Sequence, residues 1–317
     1  MVNFTVAIPT YNSEQRLPEV LQCLRLQVVP AELVWEVIVV DNNSRDRTAQ
    51  VIADYQASDF PCPLWYVLEP RQGAAFARQL AIQEAQSDLI GFLDDDNLPD
   101  KHWVAAAYQF AQSHPQAGAF GSQIHGEFEV APPPNFKRIQ SFLAIVERGN
   151  QAYCYEPSKR MLPPSAGLAV RKNAWLQAVP GTTALVGRVQ GSMLAGEDTE
   201  VLNYIQRSGW EIWYNPEMQV RHKIPAWRLE QAYLAACLRG IGLSRSVIRM
   251  SRLKPWQKPF MLFAYLGKDL HKLISHFLKY RAQLKTDIVA ACEMELYLSI
   301  LMSPIYLRGN SGANKPR

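Results

Sequence analysis

The 317-residue chain lacks several features that mark common protein classes. Its five cysteines, Cys23, Cys62, Cys154, Cys237 and Cys292, lie far apart and form no CxxC pair. A disulfide scaffold or a zinc ribbon would need clustered cysteines, so we expect reduced thiols in a cytoplasmic protein. Proline and glycine follow no period, which excludes collagen-like and low-complexity chains.

The chain also has no leader pattern and no long apolar run. The first six residues lead directly into a strand-like pattern, without the basic and then apolar segments of a signal peptide. The longest uncharged run, residues 102–126, contains glutamine, serine, histidine and proline, which are unsuited to the bilayer core. We therefore predict no membrane-spanning segment.

Charge is distributed unevenly along a chain of ordinary globular composition, 48% hydrophobic and 20% charged. Residues 1–220 hold 16 Lys and Arg against 24 Asp and Glu, a net charge of −8. Residues 221–317 hold 17 against 5, a net charge of +12. This asymmetry predicts two domains with different partners, residues 1–225 and a basic helical extension over residues 226–317.

Strands and helices alternate over the first 120 residues. Strands are predicted over 4–8, 37–40, 64–68 and 89–93, with Pro9 expected to stop the first one. Helices are predicted over 17–26, 48–56, 73–86 and 101–113. The strands are apolar runs without in/out alternation, which favours a mostly parallel sheet covered by helices on both faces. The predicted fold class is therefore α/β.

The rest of the chain divides into an irregular middle and a helical end. Proline runs at 132–134 and 163–164 indicate loops within residues 122–195. Further strands are predicted over 167–170, 211–214 and 218–221 and a helix over 199–207, followed by helices over 229–239, 259–281 and 287–302. The helix over 259–281 is amphipathic.

Polar clusters follow three of the predicted strands: Pro9 to Asn12, Asp41 to Ser44, and Asp94 to Asn97. Ligands of open parallel sheets bind at the carboxyl ends of the strands. Three successive carboxylates repel one another unless a cation lies among them, and a hard divalent ion completes its shell with phosphates and water. The cluster thus indicates a nucleoside diphosphate ligand. In the alternative interpretation, Asp96 or Asn97 caps a helix that begins near Pro99.

Other candidate residues have two interpretations each. Neither GxGxxG nor GxxxxGK[ST] follows the first strand, which argues against a dinucleotide fold or a P-loop. Arg71, Gly73 and Arg78 could supply positive charge near a diphosphate, or the glycine opens a helix and the arginines are solvated. Asp198 either caps the helix that follows it or acts as a general base, and His222 is either a metal ligand or a structural histidine.

Five motifs, in order, resemble glycosyltransferase family 2 enzymes with the GT-A fold. They are VAIPTYN at 6–12, VIVVDNNS at 37–44, GAAFAR at 73–78, FLDDDN at 92–97 and GED at 196–198. Residues 121–128 and 209–220 also resemble the cyanobacterial hormogonium polysaccharide glycosyltransferases. The resemblance implies a Rossmann-like GT-A domain and an inverting hexosyl transfer to a hydroxyl acceptor, a glycan or a lipid-linked molecule, in extracellular polysaccharide assembly.

The resemblance also implies roles for individual residues. Asp41 would bind the base, Asp96 would ligate Mg²⁺ or Mn²⁺, and Asp198 would be the catalytic base. His222 matches a residue that contacts metal or phosphate in some members. The family's two-acid DXD motif is a triple here, so either Asp94 or Asp95 meets the ribose. The candidate residues for binding the donor, with a UDP-sugar expected, are Pro9, Thr10, Tyr11, Glu14, Asp41, Arg71, Gly73, Arg78, Asp94 and Asp95.

Two other functions are considered. A sugar-phosphate nucleotidyltransferase would share the sheet and the metal but carries a GGxGTR signature after the first strand, which is missing here. A non-catalytic GT-A scaffold would have no use for the carboxylates at 41, 94, 96 and 198.

The basic extension suggests binding to an anionic membrane surface on the cytoplasmic face of the inner membrane. The alternatives are packing on the catalytic domain or an oligomer interface. No recognition motif for nucleic acid accompanies the charge.

Overall fold

The computed structural model describes residues 1–159 and 161–309, which form two compact units. The first unit comprises Met1–Glu127, Ala144–Thr183 and Val201–Lys223. The second comprises Phe128–Leu143, Ala184–Glu200 and the chain from Ile224 onward. The boundary predicted at residue 225 stays a prediction, and the second unit also contains two earlier segments.

Four parallel strands form one half of the sheet. They are β1 (Phe4–Thr10), β2 (Trp35–Asp41), β3 (Leu64–Leu68) and β4 (Leu89–Phe92), in the order β3-β2-β1-β4. The helices between and after them are α1 (Leu17–Arg25), α2 (Thr48–Gln56), α3 (Ala74–Glu84) and α4 (Trp103–Ser113). Residues of β2 and β4 are buried on both faces, as the continuous apolar runs predict. The α/β class and the parallel pairing of these strands are confirmed.

The other half of the sheet is antiparallel, so the sheet as a whole is mixed. It contains β5 (Asn97–Pro99), β6 (Ala117–Phe128), β7 (Tyr153–Cys154), β8 (Leu168–Arg171) and β9 (Glu211–Ile224). Strand β4 pairs antiparallel with β8, β8 with β6, and β9 with both β5 and β7. Two helices, α5 (Lys172–Ala178) and α6 (Glu197–Arg207), complete this part of the chain. Strand β6 occupies part of the stretch predicted to be irregular.

Two prolines lie inside strands where the sequence predicts strand ends. Strand β1 continues through Pro9 to Thr10, and β9 joins the two short strands predicted on either side of Pro216. The pairing of β1 with β4 ends at Ala7, so the missing N–H of Pro9 interrupts no ladder on that side. Pro216 lies between the parts of β9 that pair with β7 and with β5. Both prolines therefore occupy positions where a strand tolerates them.

The second unit contains three long helices: α7 (Gln231–Ser251), α8 (Lys258–Tyr280) and α9 (Ile288–Gly309). Helix α7 lies close to α9 at Gly242, where an added Cβ would come within 2.6 Å of Ser299 Cβ. The stretch Ile288–Tyr306, 39% of it buried, is the one described helix long and apolar enough to cross a membrane, with mean hydropathy 1.5. The sequence analysis did not identify this stretch as a candidate span because Glu293 and Glu295 interrupt the apolar run. Core helices of other proteins share its length and composition. None of the five cysteines forms a disulfide in the structure.

Candidate active site

The loops that follow β1 and β2 interlock at the carboxyl end of the parallel strands. The backbone N–H of Asn12, whose φ is +48°, donates to Ser44 Oγ at 2.9 Å, and Asn12 Oδ1 accepts from Arg45 N at 2.8 Å. Glu14 N donates to Asp46 Oδ2 at 3.0 Å, and Glu14 Oε2 accepts from Arg47 N at 2.9 Å. These bonds fix the segment that follows Pro9 and Thr10 against the end of β2.

Asp41 is buried at the end of β2, and its carboxylate has two donors. Asp41 Oδ1 accepts from Ser44 N at 2.8 Å, and Oδ2 accepts from Tyr66 Oη at 3.0 Å. Burial and the neighbouring Asp41 raise the pKa of Tyr66 to about 12, so the phenol stays a donor at neutral pH. Sequence reasoning missed Tyr66. The register of β2 and β3, which pairs Asp41 with Leu68, could have placed it nearby.

Arg71 and Gly73 are held by neighbours in the loop before α3. Arg71 Nη2 and Nε donate to the buried carboxylate of Glu69 at 2.7 and 2.8 Å, and these bonds lower the pKa of Glu69. Glu69 therefore already balances the charge of Arg71. Gly73, at φ +138°, donates its N–H to Asn42 Oδ1 at 2.7 Å, directly before the first residue of α3. Its backbone conformation is one that side-chain-bearing residues rarely adopt.

The first aspartate of the triple, Asp94, faces helix α3. Buried Arg78 donates from Nη2 to Asp94 Oδ1 at 3.1 Å. Desolvation of the carboxyl raises the pKa of Asp94, and the nearby Asp96 and Asp95 act in the same direction against the opposing effect of Arg78. Asp94 is half-buried, so its carboxyl is accessible to a ligand at the strand end.

The second aspartate, Asp95, faces the loop after β1. Asp95 Oδ1 accepts from Arg16 Nε at 3.0 Å, and Oδ2 accepts from Thr10 Oγ1 at 3.0 Å and from Ser13 Oγ. Arg16 Nη2 also donates to the carbonyl oxygen of Tyr11 at 3.4 Å. Asp95 therefore connects the end of β4 to the loop after β1, which contains predicted donor-binding residues. Arg16 and Ser13 were not among the predicted site residues.

The third aspartate, Asp96, is buried next to His222. Asp96 Oδ2 lies 3.5 Å from His222 Nε2, and Asp96 Oδ1 accepts from Asn97 Nδ2 at 3.1 Å. Asn97 and His222 are register partners in the β5–β9 pair, so strand pairing brings the histidine to the aspartate. Asn97 begins β5, and α4 starts only at Trp103, so the predicted helix cap at 96–97 is wrong.

Each of the three carboxylates has a neighbour of its own from another part of the chain: Arg78 for Asp94, Arg16 for Asp95 and His222 for Asp96. Within the part of the chain that the structure describes, no cluster of three or more His, Cys, Asp or Glu could hold a metal ion alone. Asp96 and His222 nevertheless offer one oxygen and one nitrogen ligand in a buried place. Mg²⁺ and Mn²⁺ commonly take few protein ligands and complete their shell with phosphate and water. The residues present fit an ion that the substrate helps to hold.

Asp198 belongs to the second unit and lies in the first turn of α6, one residue after the helix begins. Asp198 Oδ1 accepts from Thr199 N at 2.6 Å. Gly196, at φ +109°, precedes the helix, and an added Cβ there would come within 2.5 Å of Ile248 Cδ1. Buried Glu200 accepts from the N–H groups of Ala184 and Leu185, both at 3.0 Å. The helix start is thus fixed within its own unit, with Asp198 only partly buried. The other predicted site residues all belong to the first unit.

The family model described as "Glycosyl transferase family 2" matches residues 5–176, more than half of the chain. The chain belongs to glycosyltransferase family 2. This confirms the family-level resemblance drawn from the strand-end motifs, and the matched region contains β1 to β4 with the candidate residues from Pro9 to Asp96.

Among curated relatives of this family 2 chain is the "Uncharacterized glycosyltransferase YfnE" of Bacillus subtilis, 36% identical over 124 residues, which is 38% of this chain and 31% of that protein. Another is the "Poly(ribitol-phosphate) beta-N-acetylglucosaminyltransferase TarS" of Staphylococcus aureus, 31% identical over 114 residues, or 36% of this chain and 20% of that protein. The alignments thus span at most about a third of these two relatives.

Solved structures show the same fold over nearly the whole chain. The mannosyltransferase PcManGT of Pyrobaculum calidifontis, in complex with GDP-Man and Mn²⁺, matches with a TM-score of 0.61 at 18% identity, covering 96% of this chain and 87% of that one. S. aureus TarS 1–349 in complex with UDP matches with a TM-score of 0.54 at 16% identity, covering 97% and 92%. The GT-A fold is confirmed.

Proposed function

We propose that this family 2 glycosyltransferase is a metal-dependent, inverting enzyme that transfers a hexosyl group from a nucleotide-diphosphate sugar to a hydroxyl acceptor. The carrying observation is the set of polar side chains at the carboxyl ends of β1, β2 and β4, where Asp41 is fixed by Ser44 and Tyr66, Asp94 by Arg78, and Asp96 lies beside His222. TarS structures with UDP and UDP-GlcNAc, and the PcManGT structure with GDP-Man and Mn²⁺, support this class of donor. A UDP-sugar is the expected donor.

Asp41 is proposed to bind the nucleobase. A carboxylate accepts hydrogen bonds and donates none, so it favours a base with an imino N–H, such as uracil. Ser44 N and Tyr66 Oη each occupy one of its oxygens and fix its orientation, which leaves further lone pairs for the base.

Asp94 is proposed to meet the ribose, because Asp95 is already engaged by three donors. The hydrogen bonds of Asp95 to Thr10, Ser13 and Arg16 suit a residue that positions the loop after β1. The carboxylate of Asp94 accepts from Arg78 and remains half-buried. Pro9, Thr10, Tyr11 and Glu14 would then line the nucleotide pocket, with the Arg71–Gly73 loop beside it.

Asp96 and His222 are proposed to hold Mg²⁺ or Mn²⁺. When bound, such an ion would stabilise the negative charge that develops on the departing diphosphate. Arg78, buried beside Asp94, adds fixed positive charge near the same strand end. The protein's contribution is a preorganised arrangement of charged groups, which gains strength in a site that excludes water.

Asp198 is proposed to take the proton from the acceptor hydroxyl as its oxygen attacks the anomeric carbon. One base and a stabilised leaving group suffice for an inverting displacement, so no covalent enzyme nucleophile is required. A positioned general base contributes about 10²–10⁴-fold in rate.

The acceptor is proposed to be a glycan or a lipid-linked molecule of extracellular polysaccharide assembly, handled in the cytoplasm or at the cytoplasmic face of the membrane. The predicted closer resemblance to hormogonium polysaccharide glycosyltransferases belongs to this proposal. So does the division into a catalytic domain over residues 1–225 and an extension over 226–317.

A donor-hydrolysis screen across nucleotide sugars, with Mn²⁺, Mg²⁺ or EDTA, tests the proposal. We expect release of nucleoside diphosphate from one class of donor. EDTA and the Asp96→Ala substitution should abolish this release. The control Asp54→Asn, at an exposed position on α2, should retain it. NMR of the product formed with an acceptor alcohol should show inverted anomeric configuration. Pyrophosphate-dependent formation of a sugar phosphate would identify a nucleotidyltransferase instead. Nucleotide binding without turnover of any donor would identify a scaffold.

A further inference from the structure

Helix α8 of the second unit exposes its apolar side chains. Along one stripe at helical spacing, large apolar residues are about half to three-quarters exposed; this outer face of α8 consists of Phe260 (74%), Phe263 (75%), Leu270 (49%), Ile274 (48%), Phe277 (48%) and Leu278 (61%). Exposed Trp256 (67%) lies just before the helix. Clustered exposed apolar residues of this kind often mark an interaction site, whereas single exposed apolar residues do not.

The buried side of α8 is comparatively polar. Asp269 is buried and receives a bidentate pair of hydrogen bonds from Arg249 on α7, one of them 2.9 Å long. His276 is also buried, and its Nε2 donates to the carbonyl oxygen of Ala290 on α9 at 2.9 Å. Turning the phenylalanines inward would break these bonds and separate the carboxylate of Asp269 from its guanidinium partner, which is costly. The outward direction of the apolar stripe is therefore fixed by the packing of the helix.

Positive charge accumulates around this helix. Residues 228–285 contain twelve Lys and Arg but only two acidic residues, so the region has a large excess of cations. Lys254 and Lys258 are exposed beside Trp256 and Phe260. Burial and the neighbouring cations Lys268, Arg249 and Arg245 lower the pKa of Lys272, against the opposing effect of Asp269.

We propose that the outer face of α8 docks on the surface of an anionic lipid bilayer. Phenyl rings and aliphatic side chains suit the boundary between headgroups and acyl chains, and lysines and arginines nearby suit anionic headgroups. The outer face of α8 would account for the membrane location proposed above, and this role does not depend on the chemistry of the donor. Docking there would hold the enzyme at the membrane that carries a lipid-linked acceptor.

The charge distribution favours a bilayer over a second copy of the chain. A second copy of the chain would bring together two segments with the same excess of cations, and like charges across an interface are unfavourable. The aliphatic part of the face (Leu270, Ile274 and Leu278) gains most from hydrocarbon, which an acyl layer supplies and a polyanion such as nucleic acid does not.

Co-sedimentation of the full chain with vesicles tests the surface. We expect binding to phosphatidylcholine vesicles that contain phosphatidylglycerol, and much weaker binding to phosphatidylcholine alone. Phe260→Ser/Phe263→Ser should lower the partition coefficient for the anionic vesicles at least about tenfold, because two exposed rings lose their burial. Leu26→Ser/Leu176→Ser, a control pair about as exposed in the first unit, should bind like the wild type. Equal binding by the Phe260/Phe263 variant and the wild type would overturn the proposal.

A second variant keeps the test informative if the first one misfolds. Lys254→Gln/Lys258→Gln should reduce binding to the anionic vesicles about tenfold, and raised salt should weaken wild-type binding. Equal recovery on neutral and anionic vesicles, or no recovery on either, would overturn the proposal. So would sedimentation velocity showing that Phe260→Ser/Phe263→Ser converts a dimer to a monomer. Donor hydrolysis by the wild-type protein is measured in parallel in solution without vesicles. If the wild type hydrolysed no donor, the result would count against the proposed function and not against docking.

Discussion

Helix α1 of the first unit and helix α8 of the second both carry an apolar stripe, but they turn it in opposite directions. Helix α1 buries Leu17, Val20, Leu21 and Leu24 completely. Helix α8 exposes its phenylalanines and buries Asp269 and His276. An amphipathic pattern therefore identifies a helix with two unlike faces, whereas the partners of its polar residues decide which face is covered.

The carboxylates of the two units differ in a related way. In the first unit, Asp94, Asp95 and Asp96 each pair with a basic side chain from another element, so they organise loops around a proposed donor pocket. In the second unit, Asp198 lies at a helix start and accepts a hydrogen bond from Thr199 beside it. We propose that the carboxylates of the first unit bind the donor and that Asp198 acts as the general base.

The largest expected effect comes from Asp198→Asn. The amide cannot take a proton, so kcat should fall about 10²–10⁴-fold while the donor Kd stays unchanged. Steady-state kinetics of sugar transfer and isothermal titration with the donor measure the two quantities. A near-normal kcat would show that Asp198 is not the base and would remove the proposed division of roles.

The next effect concerns the stability of the second unit. Arg249→Met leaves the buried carboxylate of Asp269 without its bidentate partner and should lower the free energy of unfolding by about 3 kcal/mol. The control Arg221→Met removes a more exposed pair with Glu127 in the first unit and should cost less than about 1 kcal/mol. Urea denaturation measures both. Equal costs would show that the Arg249–Asp269 pair does not fix the orientation of α8.

Asp96→Ala should weaken donor binding and reduce turnover together. Loss of a proposed metal ligand is expected to raise the donor Kd in Mn²⁺ about 10–100-fold, by analogy with the disruption of other metal sites. Titration with and without EDTA provides the measurement. If EDTA raised the donor Kd of the variant by the same factor as that of the wild type, Asp96 would not be a metal ligand.

The smallest expected effect is the pH-dependent stability lost in Arg71→Met. Arg71 holds the pKa of Glu69 below its ordinary value of 4.5, so the pair stabilises the fold above that pH and loses its effect as the pH falls below it. Because the Arg71 side chain is about half exposed, the difference at pH 7 should be below about 1 kcal/mol. Urea denaturation at pH 7 and in acid should show that the difference in free energy of unfolding between wild type and variant is smaller in acid. A difference that grew in acid would contradict this account.

Local patterns predicted the parallel half of the fold well and the antiparallel half poorly. Helix α2 and strand β3 have the predicted bounds, since their periodicity and flanking residues leave little choice. Strand β6 contains Gly118 and Gly121, which weaken a strand pattern. In the structure, an added Cβ at Gly118 would come within 2.6 Å of Trp210, and one at Gly121 within 2.3 Å of Pro163. Close packing with distant segments therefore requires glycines that local preference disfavours.

The family, the parallel strands and the polar residues at their ends could be predicted from the amino-acid sequence, because these depend on short patterns and on the rule that ligands bind at strand ends. Tertiary packing was needed to show that Tyr66 donates to Asp41, that Arg16 reaches Asp95, and that His222 lies beside Asp96. It also decided that α8 turns its phenylalanines outward. The reason is physical: these outcomes depend on pairing register and on buried partners far away in the chain, and no local pattern of side chains encodes either.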